Sequence, residues 1–352
     1  MITAPRQAIQ AALAKARLIV LGRSTLPILS SVLVQGRPEN AWFTITASSL
    51  DAQIALDVEA DIDEPFGCCI DAAKFGAAID GPGDTTKIKM DGERVKLTTG
   101  RSVFKLPFLP EVDFPLMLST SAATASLPCE WIAGDMKRLM PFCGEDTDPR
   151  PYLRGITVSA NGADAKLIST NGHAAAQITR QIESKGNFRV IVPRRVAEAL
   201  KSIALTRAVI KGNEMLFLGE NVQLVSKLIE AQLPDFSKFF TAQSDGHLTT
   251  DRKAAIQAVK ACASIDDMRV KAVRIAMEGD GAFVSLASNA GAEGRVDLEA
   301  TGQDFNFGLI DHMLLALLES GADDSITLTS DQGRSCHLAE GNFHAVAMPY
   351  RL

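Results

Sequence analysis

The side chains with the most direct chemical capacity in this 352-residue chain are six cysteines and five histidines, and their spacing points away from catalysis. Cys68, Cys69, Cys129, Cys143, Cys262 and Cys336 form no CxxC pair, so they read as free thiols of a reducing compartment. His173, His247, His312, His337 and His344 fall in no HExxH motif, and a zinc site would have to be assembled from distant segments. Ser24, Ser48 and Ser288 lack the GxSxG elbow of a strained nucleophile. No GxxxxGK[ST] or GxGxxG cradles a phosphate, and Gly81-Pro82-Gly83 reads as a turn. The carboxylate pairs Asp266-Asp267 and Asp323-Asp324 fall at element ends, where a solvated turn explains them. No catalytic residue, metal ligand or cofactor is therefore expected, although an enzyme whose groups converge from afar stays open.

Charge gives a different lead. Lys plus Arg number 36 against 42 Asp plus Glu, a net charge of −6, so any polyanion site must come from segregated charge. The segregation is there. Arg6, Lys15 and Arg17 share one stretch with no acid; Arg252, Lys253 and Lys260 share another against Asp251. Between them lie Lys137 and Arg138, then Arg194, Arg195 and Lys201 against Glu198. Such stretches suit a phosphate backbone, whose attraction comes from counterion release, or they are ordinary solvated helix faces. The acidic stretch Asp311 to Glu319 breaks the trend.

The elements that carry these residues repeat three times. Phe43 to Ala60, Ala165 to Ile182 and Phe283 to Ala300 each read as an alternating strand, a small polar turn and a second alternating strand. Aligning Ala47 with Ser169 and Ala287 gives spacings of 122 and 118, and Asp113-Phe114 recurs 122 residues on as Asp235-Phe236. Each repeat opens on a helical pattern: Ile9, Leu13 and Ala16 within Arg6 to Leu18; Ile132, Met136 and Met140; Ile256, Val259 and Cys262 within Arg252 to Ile265. A second helix is expected at Asp71 to Ile79, Pro193 to Ile203 and Asp311 to Glu319. Lys87 to Lys96, Ala208 to Leu218 and Ser325 to Leu338 alternate with period two, as antiparallel strands joined by turns do. With linkers at Ser119 to Ser126 and Thr241 to Gly246, the chain divides into α+β domains at 1–121, 122–244 and 245–352. Repetition alone also builds scaffolds with no particular ligand.

Composition agrees with a folded protein: 46% hydrophobic and 22% charged. The apolar run Ala11 to Leu21 is interrupted by Lys15 and Arg17 and lacks a cleavage site, and no stretch approaches the ~18 apolar residues of a membrane span. A cytoplasmic protein with no membrane partner is expected.

Several local motifs, in order along the whole chain, carry a resemblance. They are Gly22-Arg23-Ser24-Thr25-Leu26-Pro27-Ile28-Leu29, Gly100-Arg101-Ser102-Val103-Phe104-Lys105-Leu106, Thr170-Asn171-Gly172-His173, Val192-Pro193-Arg194-Arg195, Leu233-Pro234-Asp235-Phe236 and Met348-Pro349-Tyr350-Arg351-Leu352. Together with the threefold repeat, this set resembles the bacterial DNA polymerase III beta subunits, the DNA sliding clamps. The resemblance implies three clamp-type domains per chain, each with two helices packed on antiparallel sheets, forming half of a closed ring. It implies a head-to-tail homodimer around duplex DNA, bound without sequence preference, and partners that include the DNA polymerase III alpha subunit, the clamp loader and other proteins with a clamp-binding linear motif. Size agrees: domains about 34 Å across whose centres ring a duplex at ~30 Å fit five or six to a circle, so one chain supplies half.

By resemblance, Arg23, Arg150 and Tyr152 face DNA, and the charge argument adds Arg6, Lys15, Arg194, Lys201, Arg252 and Lys253. The alternative for Arg23 is a turn residue satisfying local carbonyls. The peptide groove is expected from Leu153, Thr170, Gly172, His173, Pro234, Phe239, Val346, Met348, Pro349, Tyr350 and Arg351, and the dimer seam from Phe104 and Leu106 against Ile265 with Lys74 at its rim. Apart from the resemblance, Val346 and Met348 read as a core strand end and His173 as a turn histidine. Where clamps commonly continue His-Arg-Leu, this chain has His173-Ala174-Ala175, and Tyr350 stands where Met is frequent, so an altered groove is expected. The rival reading is a divergent clamp-like peptide-binding module that does not encircle DNA.

Overall fold

The computed structural model describes residues 1–22, 25–117, 121–241, 244–287, 292–331 and 333–350. Six α-helices occur among them: α1 (Arg6–Ala16), α2 (Ala72–Ile79), α3 (Ile132–Leu139), α4 (Arg194–Leu200), α5 (Arg252–Ser264) and α6 (Asp311–Ser320). Each repeat thus holds two helices, as the periodicity predicts, and all pairings between neighbouring strands are antiparallel. The expected strand pairs are there: Trp42–Ser48 with Ala52–Glu59, Asp164–Thr170 with Ala174–Gln181, and Gly281–Leu286 with Arg295–Leu298.

Local chemistry sets the helix ends. Asp71 and Asp251 cap α2 and α5 by accepting the Lys74 and Ala254 amides at 2.9 and 2.7 Å, which satisfies a donor left over at each N-terminus. The α1 stripe Ile9, Leu13 and Ala16 is buried as expected, but the helix stops at Ala16, where the Arg17 side chain turns to the Ala72 and Ala73 carbonyls. In α5 the buried stripe is Ala255, Ala258, Val259 and Cys262, with Ile256 at its half-buried margin: the small residues let the helix approach its sheet. Met140 falls beyond α3, in a 3-10 turn that holds Pro141. The cysteines are all buried and free.

The chain folds as two compact units. One comprises Met1–Ala133, Glu183–Gly186 and Arg195–Leu228; the other comprises Gly134–Ile182, Asn187–Arg194 and Ile229–Leu352. The division runs through the middle repeat because its strands extend two different sheets. In the first unit, Ala125–Pro128, Arg207–Lys211, Glu214–Leu218 and Val222–Lys227 continue into Ala52–Glu59, Trp42–Ser48, Ser31–Gly36 and Phe66–Asp71, an eight-stranded sheet. A five-stranded sheet in the same unit ends on Ser102–Pro107. In the second unit, Phe188–Pro193, Gly155–Asn161, Asp164–Thr170 and Ala174–Gln181 continue through Phe343–Ala347 into four strands of the third repeat. A four-stranded sheet there ends on Arg295–Leu298.

Two charged contacts within the second unit hold α3 in place, and sequence spacing did not reveal them. Asp135, buried, accepts from Arg180 Nε at Oδ2 and from Nη2 at Oδ1, each at 2.5 Å. Arg138 donates to the Ser320 carbonyl at 2.8 Å and to Glu340 at 2.6 Å, with its guanidinium 3.9 Å from the Phe343 ring centre. Because Arg180 removal leaves a buried carboxylate without its partner, Arg180→Met is expected to destabilise the second unit by about 3 kcal/mol. Denaturant titration checks this; an unchanged midpoint would mean that water replaces the guanidinium at no cost.

Candidate nucleic-acid and peptide interfaces

The turn between Asp164–Thr170 and Ala174–Gln181 is built by its own side chains. Thr170 Oγ1 accepts the Gly172 amide at 3.1 Å and donates to the Ala174 carbonyl at 2.8 Å. Asn171 Oδ1 accepts the His173 and Ala174 amides at 3.0 and 2.9 Å. Gly172 sits at φ +92, which a side chain disfavours, and the Arg150 guanidinium lies against its Cα face. The result presents His173 outward.

Long-range pairing then brings the C-terminal residues to this turn. Ala174 and Ala175 pair with Ala347 and Val346, and the ladder is prolonged by the Met348 amide donating to the His173 carbonyl at 2.9 Å. Tyr350 is held by its amide on the Gly308 carbonyl at 2.8 Å, which leaves its ring 43% exposed. Leu153, Thr170 and Val346 are buried, Met348 and Phe239 half-buried, and Gly172, His173, Pro234 and Pro349 exposed. The structure therefore assembles Thr170, Gly172, His173, Val346 and Met348, from segments about half the chain apart, at the ends of three neighbouring strands inside one sheet. Arg351 lies outside the described residues. Beside this turn, Cys143, Glu145, Asp148, His173, Arg194 and His312 line part of an open cavity of about 530 Å³.

Behind the strand end is a histidine pair that the sequence did not disclose. Ser335 Oγ lies 2.7 Å from His337 Nε2, and His337 Nδ1 lies 3.0 Å from His344 Nε2. His344 meets the Phe240 ring edge-on at 5.3 Å, and His337 is the cross-strand neighbour of Val346. With Ser335 and His337 both buried, this nucleophile-like spacing has no open face for a substrate. The only sequence signal was the alternation that places both histidines on one face of a hairpin.

The cations selected for a phosphate surface are largely engaged within the protein. Arg150 is exposed and forms a two-pronged pair with Asp148 at 3.1 Å, which holds that carboxyl below the usual range. Arg194 donates to the Cys143 and Gly144 carbonyls at 2.6 and 3.1 Å, and Arg252 to the Asp323 carbonyl at 2.7 Å. Lys201 pairs with Glu198 at 2.5 Å and Lys253 with Asp324 at 3.4 Å. Arg6, Lys15 and Tyr152 are half-buried, and Arg23 lies outside the described residues.

The residues chosen for a dimer seam sit at sheet and helix ends. Phe104 is 42% exposed on Ser102–Pro107, the last strand of its sheet, with Val103 exposed and Leu106 half-buried beside it. In the second unit Ile265 follows α5 and is 47% exposed, in one chain segment with exposed Met268 and Val270. Lys74 is exposed on α2.

Known proteins share this fold. Models of the DNA polymerase III beta subunit match residues 1–118 as its N-terminal domain and residues 138–235 as its central domain. The chain belongs to the DNA polymerase III beta subunit family. Beta sliding clamps of Pseudomonas putida and Escherichia coli are 27% and 26% identical, over 95% and 94% of each chain. Among solved structures, the DNA polymerase beta subunit of Streptococcus pyogenes has a TM-score of 0.84 at 17% identity, covering 100% of both chains. The DnaN sliding clamp of Bartonella birtlesii bound to griselimycin has a TM-score of 0.84 at 22% identity, covering 100% of this chain and 99% of that one. The clamp-type fold of three repeats thus spans this family member from end to end.

Burial, and then the neighbouring His344, push the His337 imidazole down from 6.5 to about 4. The unfolded chain takes up that proton near pH 6.5, so the native state is at full advantage above this pH and loses it as pH falls toward about 4. The loss from this group is expected to reach at most ~3 kcal/mol. Denaturant midpoints across that range check it, and His337→Gln should flatten the dependence.

Proposed function

We propose that this protein is a DNA sliding clamp in which two copies, joined head to tail, enclose duplex DNA and tether a polymerase to it. The repeats taken as 1–121, 122–244 and 245–352 supply half of the ring. The observation that carries the reading is the end-to-end likeness to beta sliding clamps, 95% of both chains for the Pseudomonas putida protein.

The physics needs no tight grip. A closed ring is retained by topology, so its phosphate contacts can be few and water-mediated, and the particle moves along the helix because no contact is specific to a base. The internal pairing of Arg194, Arg252, Lys201 and Lys253 supports this, since cations already partnered offer DNA a weak, diffuse field. Arg150 and Tyr152 are the proposed direct contacts, and Arg6 and Lys15 are proposed to add to the same diffuse field. No step of chemistry is required, and the protein acts as a non-catalytic, cytoplasmic processivity factor without a cofactor.

The turn around His173 and the strand end at Met348 form the proposed groove for the alpha subunit, the loader and other proteins with a short apolar motif. Ala174 and Ala175 reduce the wall beside it, while Tyr350 adds a rigid ring with a hydroxyl. The seam is proposed between the Phe104 edge of one copy and the Ile265 end of the other, which would cover exposed apolar side chains and an open strand edge together.

Retention on nicked circular DNA tests the reading. The protein should stay on the circle at low salt after loading, leave on linearisation, and be retained at least ~tenfold less as Phe104→Asp. Retention that survives linearisation, or a Phe104→Asp protein held as well as the parent, would overturn it.

A further inference from the structure

Thr85–Asp91, Arg94–Thr99 and Ser102–Pro107 are the last three strands of the five-stranded sheet in the first unit, and their register separates two faces. Ile88, Val95 and Leu97 are buried on one face, over which α2 packs with Phe75 and Ile79 buried in turn. The opposite face is cationic. Lys89 stands opposite Lys96, and Lys96 opposite Lys105, so three lysines form a single row across the sheet. Lys87 comes two residues before Lys89 and Arg94 two before Lys96, which puts both on that same face. Its acids are Asp91, which Lys105 engages at 2.7 Å, and Asp61, two strands away from Lys87, with Glu93 in the turn beyond.

Like charges directly opposite one another destabilise a sheet, and here little within the protein offsets them. The side chains of Lys87, Lys89, Arg94 and Lys96 make no hydrogen bond or ion pair with any described residue. The cations Arg194, Lys201, Arg252 and Lys253, by contrast, are engaged by carbonyls and carboxylates of the chain itself. In a protein of net charge −6, this face keeps its positive charge free.

The dimensions favour one kind of polyanion. With strands ~4.8 Å apart and residues ~3.4 Å apart along each, the five cations cover roughly 10 Å by 14 Å. A duplex carries about eight phosphates over that length of axis, whereas carboxylates on one side of an extended peptide recur only every ~6.8 Å. The cationic rows hold no aromatic ring on which the bases of a single strand could stack, and their exposed apolar members, Val103 and Pro107, lie on the last strand.

We infer that this sheet face is a second DNA-binding surface, which holds the phosphate backbone of a duplex lying outside the ring. Its place outside rests on the clamp reading, in which helices line the hole; the contact itself does not. Five cations grip weakly and exchange rapidly, so the contact does not mimic retention after loading.

The test is fluorescence anisotropy at low salt, without a loader, on a small covalently closed duplex circle that a closed ring cannot thread. The proteins are the full chain, Lys87→Gln/Lys89→Gln/Lys96→Gln, and the same three positions changed to Arg. Because the glutamines remove opposed like charges, the melting temperature of that variant should not fall, which verifies folding. The glutamine variant should bind the circle at least ~tenfold more weakly, with a slope of log K against log salt shallower by about 2 to 3, and the arginine variant should bind as the parent does. Equal binding by the glutamine variant, an unchanged slope, or a single-stranded circle or polyglutamate bound as tightly through the same lysines overturns the proposal. A lysine-dependent contact in a particle that proves single or open would sink the ring reading and leave this surface standing. Topological retention together with indifference to the lysines would do the reverse.

Discussion

The pairing of Ala174–Gln181 with Phe343–Ala347 is the contact on which the rest of the second unit depends. It joins segments about 170 residues apart, carries one sheet from the middle repeat into the third, and delivers Met348 to His173. The pairing of Ala52–Glu59 with Val222–Lys227 does the same between the first repeat and the middle one. Strand pairing leaves backbone donors and acceptors satisfied only in register, and a slip by one residue would turn each strand's buried set outward. The turn residues cannot be placed correctly unless these two ladders are.

The middle repeat gives its strands to both sheets, and this explains why contacts divide the chain into two units although the sequence counts three repeats. Charged anchors reinforce one side: Asp135 with Arg180, and Arg138 with Glu340 and the Ser320 carbonyl, tie down one face of α3, since residues three apart share a helix face. In the proposed clamp this rigidity matters more than affinity, because a ring held by topology must resist opening while touching DNA lightly.

Much of the fold was legible. The six helices follow from stripes such as Ile9, Leu13 and Ala16, and the strand pairs from period-two alternation bounded by small polar turns. The helix ends were read less well, since Arg17 and Pro141 act through distant carbonyls and local backbone that periodicity does not register. Of the candidate site, the His173 turn and the Met348 strand end were found through motif resemblance. Their apposition depends on a register between segments with no sequence signal of their own. The engagement of Arg194 and Arg252 with carbonyls was equally invisible: composition counts a charge, and only geometry shows which partner holds it. The histidine pair escaped notice because its members become neighbours diagonally, across a hairpin.

The account stands most directly on the number and closure of the chains in the working particle. Electron micrographs of the purified protein at submicromolar concentration, with sedimentation mass measured on the same sample, address this. Two chains closed around a hole that admits a B-form duplex are predicted. A single open crescent, or a closed particle whose hole is too narrow for the duplex, would contradict the account.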